Sequence, residues 1–203
     1  HDLASEDYGG ALKEDRQQIA ANRAAIAFAR QMAEEFELPC EAFNPCGKFN
    51  AAASAKGHRH NQDYARHLTR MGEPWEMYDA AQMAELTGTG YYQSGLFTPG
   101  TVMLQPAMYI RGIARGLASH HALIFENSPV TALEHNGDWS ATTPSGQVTA
   151  PRVILAVNGH ANSFGLYPQQ LAHVFTYASM TRALTAQEVA TLGGARNWGA
   201  TPA

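Results

Sequence analysis

The sequence predicts a mixed α+β fold, a largely antiparallel sheet with flanking helices on one face. Three observations lead there. Apolar residues recur at helical spacing over residues 12–36, and an Asn136-Gly137 step separates two β-prone runs, which is the signature of a hairpin. Elsewhere short strand-like runs and short helical runs follow one another, a pattern of packed helix and sheet layers. With 203 residues, 45% apolar and 16% charged, the chain is long enough to bury a core and too apolar for disorder.

Charge and cysteine content narrow the classes. A formal net charge of −4 provides no basic face for nucleic acid. No apolar run approaches the roughly 18 residues needed to span a bilayer. Cys40 and Cys46, split by Pro45, match neither a zinc knuckle nor a redox pair, and read as two thiols in a reducing cytoplasm. The first residue is His1, nothing near it resembles a signal peptide, and both ends read as those of an internal fragment.

Along the chain, Leu12, Ile19, Ile26 and Ala33, with Ala29 and Phe36, form the apolar face of a helix that ends before Pro39. Residues 41–54 read as a strand or strand pair, with Pro45 and Gly47 at a turn or bulge. A polar helix opens near Lys56 and reaches about Met71. Its His58-x-His60 spacing suggests a metal, but no third ligand is placed nearby, so no metal is expected. Residues 75–79 read as a short strand and 80–86 as a short helix.

The run Thr87-Gly88-Thr89-Gly90 is a turn. It lacks the third glycine of a phosphate loop, and two tyrosines follow where a helix should begin. After residues 95–106, Ile110, Ile113, Ala114 and Leu117 define a helix with one buried stripe, opened by Pro106. Residues 122–126 and 129–134 read as strands, and 139–143 as the return of the hairpin. Val153-Ile154-Leu155-Ala156-Val157 is a nearly unbroken apolar run, expected as a strand buried on both faces and ended by Asn158-Gly159. Residues 173–184 are β-prone. Thr185-Ala186-Gln187-Glu188 is a capping box for a last helix through Leu192.

Four of these features resemble, in order and spacing, the D-amino-acid oxidase/glycine oxidase superfamily of FAD-dependent oxidoreductases. They are the glycine-led strand from Gly95 running through Pro99 and Pro106 into a helix, Val130-Thr131-Ala132-Leu133-Glu134 with its hairpin, Ala156-Val157-Asn158-Gly159 closing the apolar run, and Trp198-Gly199-Ala200-Thr201-Pro202. The resemblance covers nearly the whole chain and looks closest to the γ-glutamylputrescine oxidoreductase-like branch. Asn158 stands where the family often has threonine, and the family's glycine fingerprint is missing.

The resemblance implies oxidation of an amine or amino-acid C–N bond to an imine, with hydride transfer to FAD. It implies a substrate domain in two parts, 1–121 and 163–203, around a partial Rossmann-like remnant of the FAD-binding domain at 122–162. Val130, Ala156, Val157, Asn158 and Gly159 would approach the cofactor, while Tyr177 and Trp198 would face a small-molecule substrate. Arg182 is a weaker candidate for a substrate carboxylate, and His160 and His173 receive no role. Without the glycine fingerprint, the chain alone is expected neither to retain FAD nor to be active. Its exposed apolar strand is expected to promote self-association.

Two alternatives remain open at the level of sequence. One is a flavoprotein of the same architecture acting on a 2-hydroxy acid or glycerol 3-phosphate; the other is a non-catalytic binding domain. A phosphate-bearing substrate calls for clustered cations, and after Tyr167 the chain offers only Arg182 and Arg196.

Overall fold

The computed structural model describes residues 12–120, 122–172, 174–195 and 198–203. The chain divides into two compact units, His1–Ala122 with Ala183–Ala203, and Leu123–Arg182.

The first unit is organised by a four-stranded sheet of β2 (Lys48–Ala52), β3 (Glu76–Asp79), β4 (Ser94–Thr98) and β9 (Ala200–Pro202), in the order β3-β4-β2-β9. The β2–β4 and β3–β4 pairs are antiparallel, Phe49 facing Phe97 and Met77 facing Leu96. Strand β9 runs parallel to β2 at the edge. Two further short strands, β1 (Phe43–Asn44) and β5 (Met103–Leu104), pair antiparallel beside it.

Helices cover both faces of this sheet, where the sequence suggested one. Side chains alternate across a strand, so Leu96 and Phe97 must point opposite ways. Leu96 joins Ile19 of α1 (Leu12–Glu35) and Tyr64, Ala65, Leu68 and Met71 of α2 (Ala55–Met71) in one core cluster. Phe97 packs on the second cluster, where Phe49 and Ala51 meet Met83 of α3 (Ala80–Thr87). Gly95 has no side chain because Met83 lies directly over it.

Helix boundaries follow local chemistry. Ser54 accepts a hydrogen bond from the Gly57 N–H at the start of α2, and Gly72, with φ 77°, closes it. Asp79 and Gln82 form a capping box on α3. Pro106 opens α4 (Pro106–Leu117), and Thr185 with Glu188 caps α5 (Ala186–Leu192).

The buried stripe of α4 is displaced from the expected one. Ile110 is 63% exposed, and the covered face runs through Tyr109 and Gly112. Gly112 lies against Leu38 and Gly116 against Phe36, so missing side chains, rather than bulky ones, let this helix close on the end of α1. Tyr109 donates to the Ala29 carbonyl at 2.8 Å, and burial pushes its phenol pKa up.

The second unit contains one antiparallel meander, β6 (Ala132–Asn136), β7 (Asp138–Thr143) and β8 (Gly146–Ala150), with Gly137 at φ 85° in the expected tight turn. The rest departs from expectation. Residues 122–126 and 153–157 form no strand, and Ile154 is 93% exposed rather than buried on both faces. Residues 174–184 also lie outside any strand. The physical reason is common to all three. A β-strand exists through its ladder partners, and none of the described strands pairs with these segments.

Candidate functional site

The segments singled out in the second unit are exposed to half-buried. Val130 is 41% exposed and immediately precedes Thr131, whose N–H donates to the Thr142 carbonyl at 2.8 Å and so begins the meander. Ala156 and Asn158 are exposed, while Val157 and Gly159 are half-buried. Asn158 has φ 50°, the left-handed conformation that asparagine tolerates better than most residues. It turns the chain out of the apolar run into a 3-10 turn over Asn158–Phe164.

A small-residue backbone that turns sharply after an apolar run fits close approach by a large flat ligand. It fits as one wall only. A complete dinucleotide cradle needs a strand, a glycine turn and a helix in succession, and no segment of this sequence provides them.

Of the two aromatic candidates, Tyr177 is 96% exposed in the second unit, and Trp198 is half-buried in the first. The structure does not unite them in one unit. Arg182 is exposed, His160 is exposed on the 3-10 turn, and His173 and Arg196 lie outside the described residues.

Trp198 has a defined setting. It lines a groove of about 870 Å³ together with Thr87, Leu184, Ala186, Val189 and Leu192. The groove is held open by two glycine turns packed backbone to backbone. Gly88 ends α3 at φ 74° against the Leu192 carbonyl, and Gly194 at φ 75° brings its backbone to Leu86 and Gly88. The Ala195 N–H donates to the Leu86 carbonyl at 2.7 Å across the same contact. The Thr87–Gly90 run is therefore a packing turn that shapes one wall of this groove.

The His58-x-His60 pair has a structural use. His58 Nδ1 lies 2.8 Å from Ser94 Oγ, and Gln62 Nε2 lies 2.9 Å from His58 Nε2. Because the Gln62 amide nitrogen only donates, His58 Nε2 accepts and Nδ1 carries the proton to Ser94. That tautomer cannot take a proton from Ser94, so the pair is no nucleophile and base. Among the described residues, no group of three or more His, Cys, Asp or Glu side chains could hold a metal ion, and no helix is long and apolar enough to cross a membrane.

Sequence reasoning missed the Asp15–His67 contact, in which both side chains are 0% exposed and His67 Nε2 lies 2.7 Å from Asp15 Oδ2. The one available signal was an aspartate falling on the apolar face of α1, one turn before Ile19.

Comparison with known proteins gives a consistent picture. A family model described as FAD dependent oxidoreductase matches residues 5–198. The chain is 27% identical over 168 residues to a probable oxidoreductase OrdL of Rhizobium meliloti (strain 1021), covering 81% of this chain and 37% of that protein. Among solved structures it superposes on glycine oxidase from Geobacillus kaustophilus with TM-score 0.61 and 17% identity, over 72% of this chain and 40% of the other. L-proline dehydrogenase from P. horikoshii gives TM-score 0.58 and 14% identity, over 71% and 39%. The chain thus spans about two fifths of the length of these relatives.

Proposed function

Since the chain belongs to the FAD dependent oxidoreductase family, we propose that it is part of a flavoenzyme that oxidises the C–N bond of an amine or amino acid. Within that family it would belong with the γ-glutamylputrescine oxidoreductase-like enzymes. Residues 122–162 would belong to the FAD-binding domain, and 1–121 and 163–203 to the substrate domain. The two free thiols, Cys40 and Cys46, suit a cytoplasmic setting.

The observation that carries this reading is the groove at Trp198. Its described lining contains no charged side chain. A phosphate-bearing substrate would need clustered cations there, whereas an amine needs an apolar wall that favours its uncharged form by desolvation. Both solved neighbours are, moreover, named for amino-acid substrates.

The bound flavin would supply the acceptor for the hydride beside the substrate nitrogen. The work of this chain is to hold and exclude. Val130 would approach the cofactor through its main chain, and Ala156, Val157, Asn158 and Gly159 would pass close to its middle, where a bulky side chain would intrude. Trp198 from the first unit and Tyr177 from the second would each offer an aromatic ring to the substrate.

The test is anaerobic reduction of the full-length flavoprotein by a panel of amines, amino acids, 2-hydroxy acids and glycerol 3-phosphate, with Trp198→Ala alongside. Reduction by an amine, slowed about tenfold or more in the variant, is expected of a residue that positions the substrate. Reduction by hydroxy acids or glycerol 3-phosphate alone would transfer the assignment to that second class.

A further inference from the structure

Phe49 and Ala51 of β2 pack with Met83 of α3, so Lys48 takes the opposite face of the sheet, which carries α1 and α2. Lys48 stands opposite Thr98 in the β2–β4 pair, and directly opposed residues share a face. Leu96, two residues before Thr98, enters the core with α1 and α2, which places Lys48 on that side a second way. There Lys48 lines a cleft of about 360 Å³ whose other walls are Asn22, Arg23 and Ile26 of α1 and Gly100 and Thr101. All of these residues belong to the first unit.

Donors outnumber acceptors in this cleft. Lys48 is half-buried, and its ammonium has no hydrogen-bond or ion-pair partner among the described residues. Asn22 accepts from Gln18 Nε2 through Oδ1 at 3.0 Å, which leaves its amide N–H groups to donate. The Glu73 carboxylate is engaged by Arg23, so it does not answer Lys48. The Thr101 carbonyl is taken by the Gly47 N–H at 3.0 Å. Beneath the cleft, Thr98 is 1% exposed and its hydroxyl has no partner either. The walls are held in place. Gly47 has φ 73°, and the Phe97 ring and the Thr98 carbonyl fill the space of a side chain there, so its bond to Thr101 fixes the 99–101 loop against β2.

We propose that this cleft binds a small oxyanion, a phosphate or a carboxylate. The Lys48 ammonium supplies the counter-charge, and Asn22 with the N–H groups of Arg23 not used by Glu73 supplies hydrogen bonds. A half-buried cation without a counter-charge has given up part of its hydration, and an anion recovers that loss through charge-assisted hydrogen bonds. The volume stands at the lower end of ligand sites, which run from about 300 to 1,000 Å³, and so suits a small anion. The inference does not depend on which substrate the protein oxidises.

Calorimetric titration of the full-length protein tests it, with inorganic phosphate in one arm and acetate in the other, both against chloride at matched ionic strength. Saturable binding of at least one of the two is expected, and the tighter arm identifies the source as phosphate or carboxylate. Lys48→Met keeps the apolar stem and removes the charge, and is expected to weaken that binding about tenfold. No saturable binding in either arm overturns the proposal. Equal affinity in wild type and Lys48→Met also overturns it, because the anion is then held elsewhere. If Lys48→Met does not fold, Asn22→Ala decides, since alanine suits a helix interior. Weakening of about threefold or more, the loss of one hydrogen bond, supports the cleft, and unchanged affinity overturns it.

Discussion

Gly88 shows what one residue does in this fold. It ends α3 in the left-handed region and leaves no space above its Cα, because the Leu192 carbonyl occupies the position of a Cβ. Gly88→Ala should therefore cost at least about 2 kcal/mol, from left-handed strain plus a clash with backbone that cannot yield. A fall in melting temperature measures it, and unchanged stability would mean that the two turns are not packed together. The sequence marked this run as a turn through its glycines, but not what it packs on, since the partner lies about a hundred residues away. Asp15 was hidden for the same reason. Its place on the apolar face of α1 hinted at burial, but nothing local names the partner, His67, 52 positions distant.

Among elements, those fixed by neighbours in sequence were legible. The amphipathic pattern of α1, the Pro106 start of α4, the hairpin at Asn136-Gly137 and the capping box at Thr185 all depend on contacts within a few residues, and all stand as read. Segment 153–157 failed as a strand because composition expresses the capacity to pair, while pairing depends on other strands. The exposed apolar run has a consequence. If the chain associates through it, as an unpartnered β-prone edge would, Ile154→Lys should shift sedimentation of the isolated chain towards monomer at high concentration. A strictly monomeric wild-type chain would remove that proposal.

At the scale of the whole molecule, the first unit has two cores on either side of one sheet, and the second has a meander with long segments outside any strand. The family was legible because its features recur in order along the chain. The candidate residues are spread over both units. Val130, Ala156, Val157, Asn158 and Gly159 share the second unit with Tyr177, whereas Trp198 belongs to the first, and the glycine turn of a dinucleotide cradle is not in the sequence. The chain spans about two fifths of the length of the relatives it matches. The most direct test is the visible absorbance spectrum of the full-length protein as purified, then with amines added in the absence of oxygen. A flavin band in the blue that bleaches with an amine or amino acid is the predicted result. A full-length protein that holds no flavin, or whose flavin is untouched by every amine and amino acid, would contradict the account.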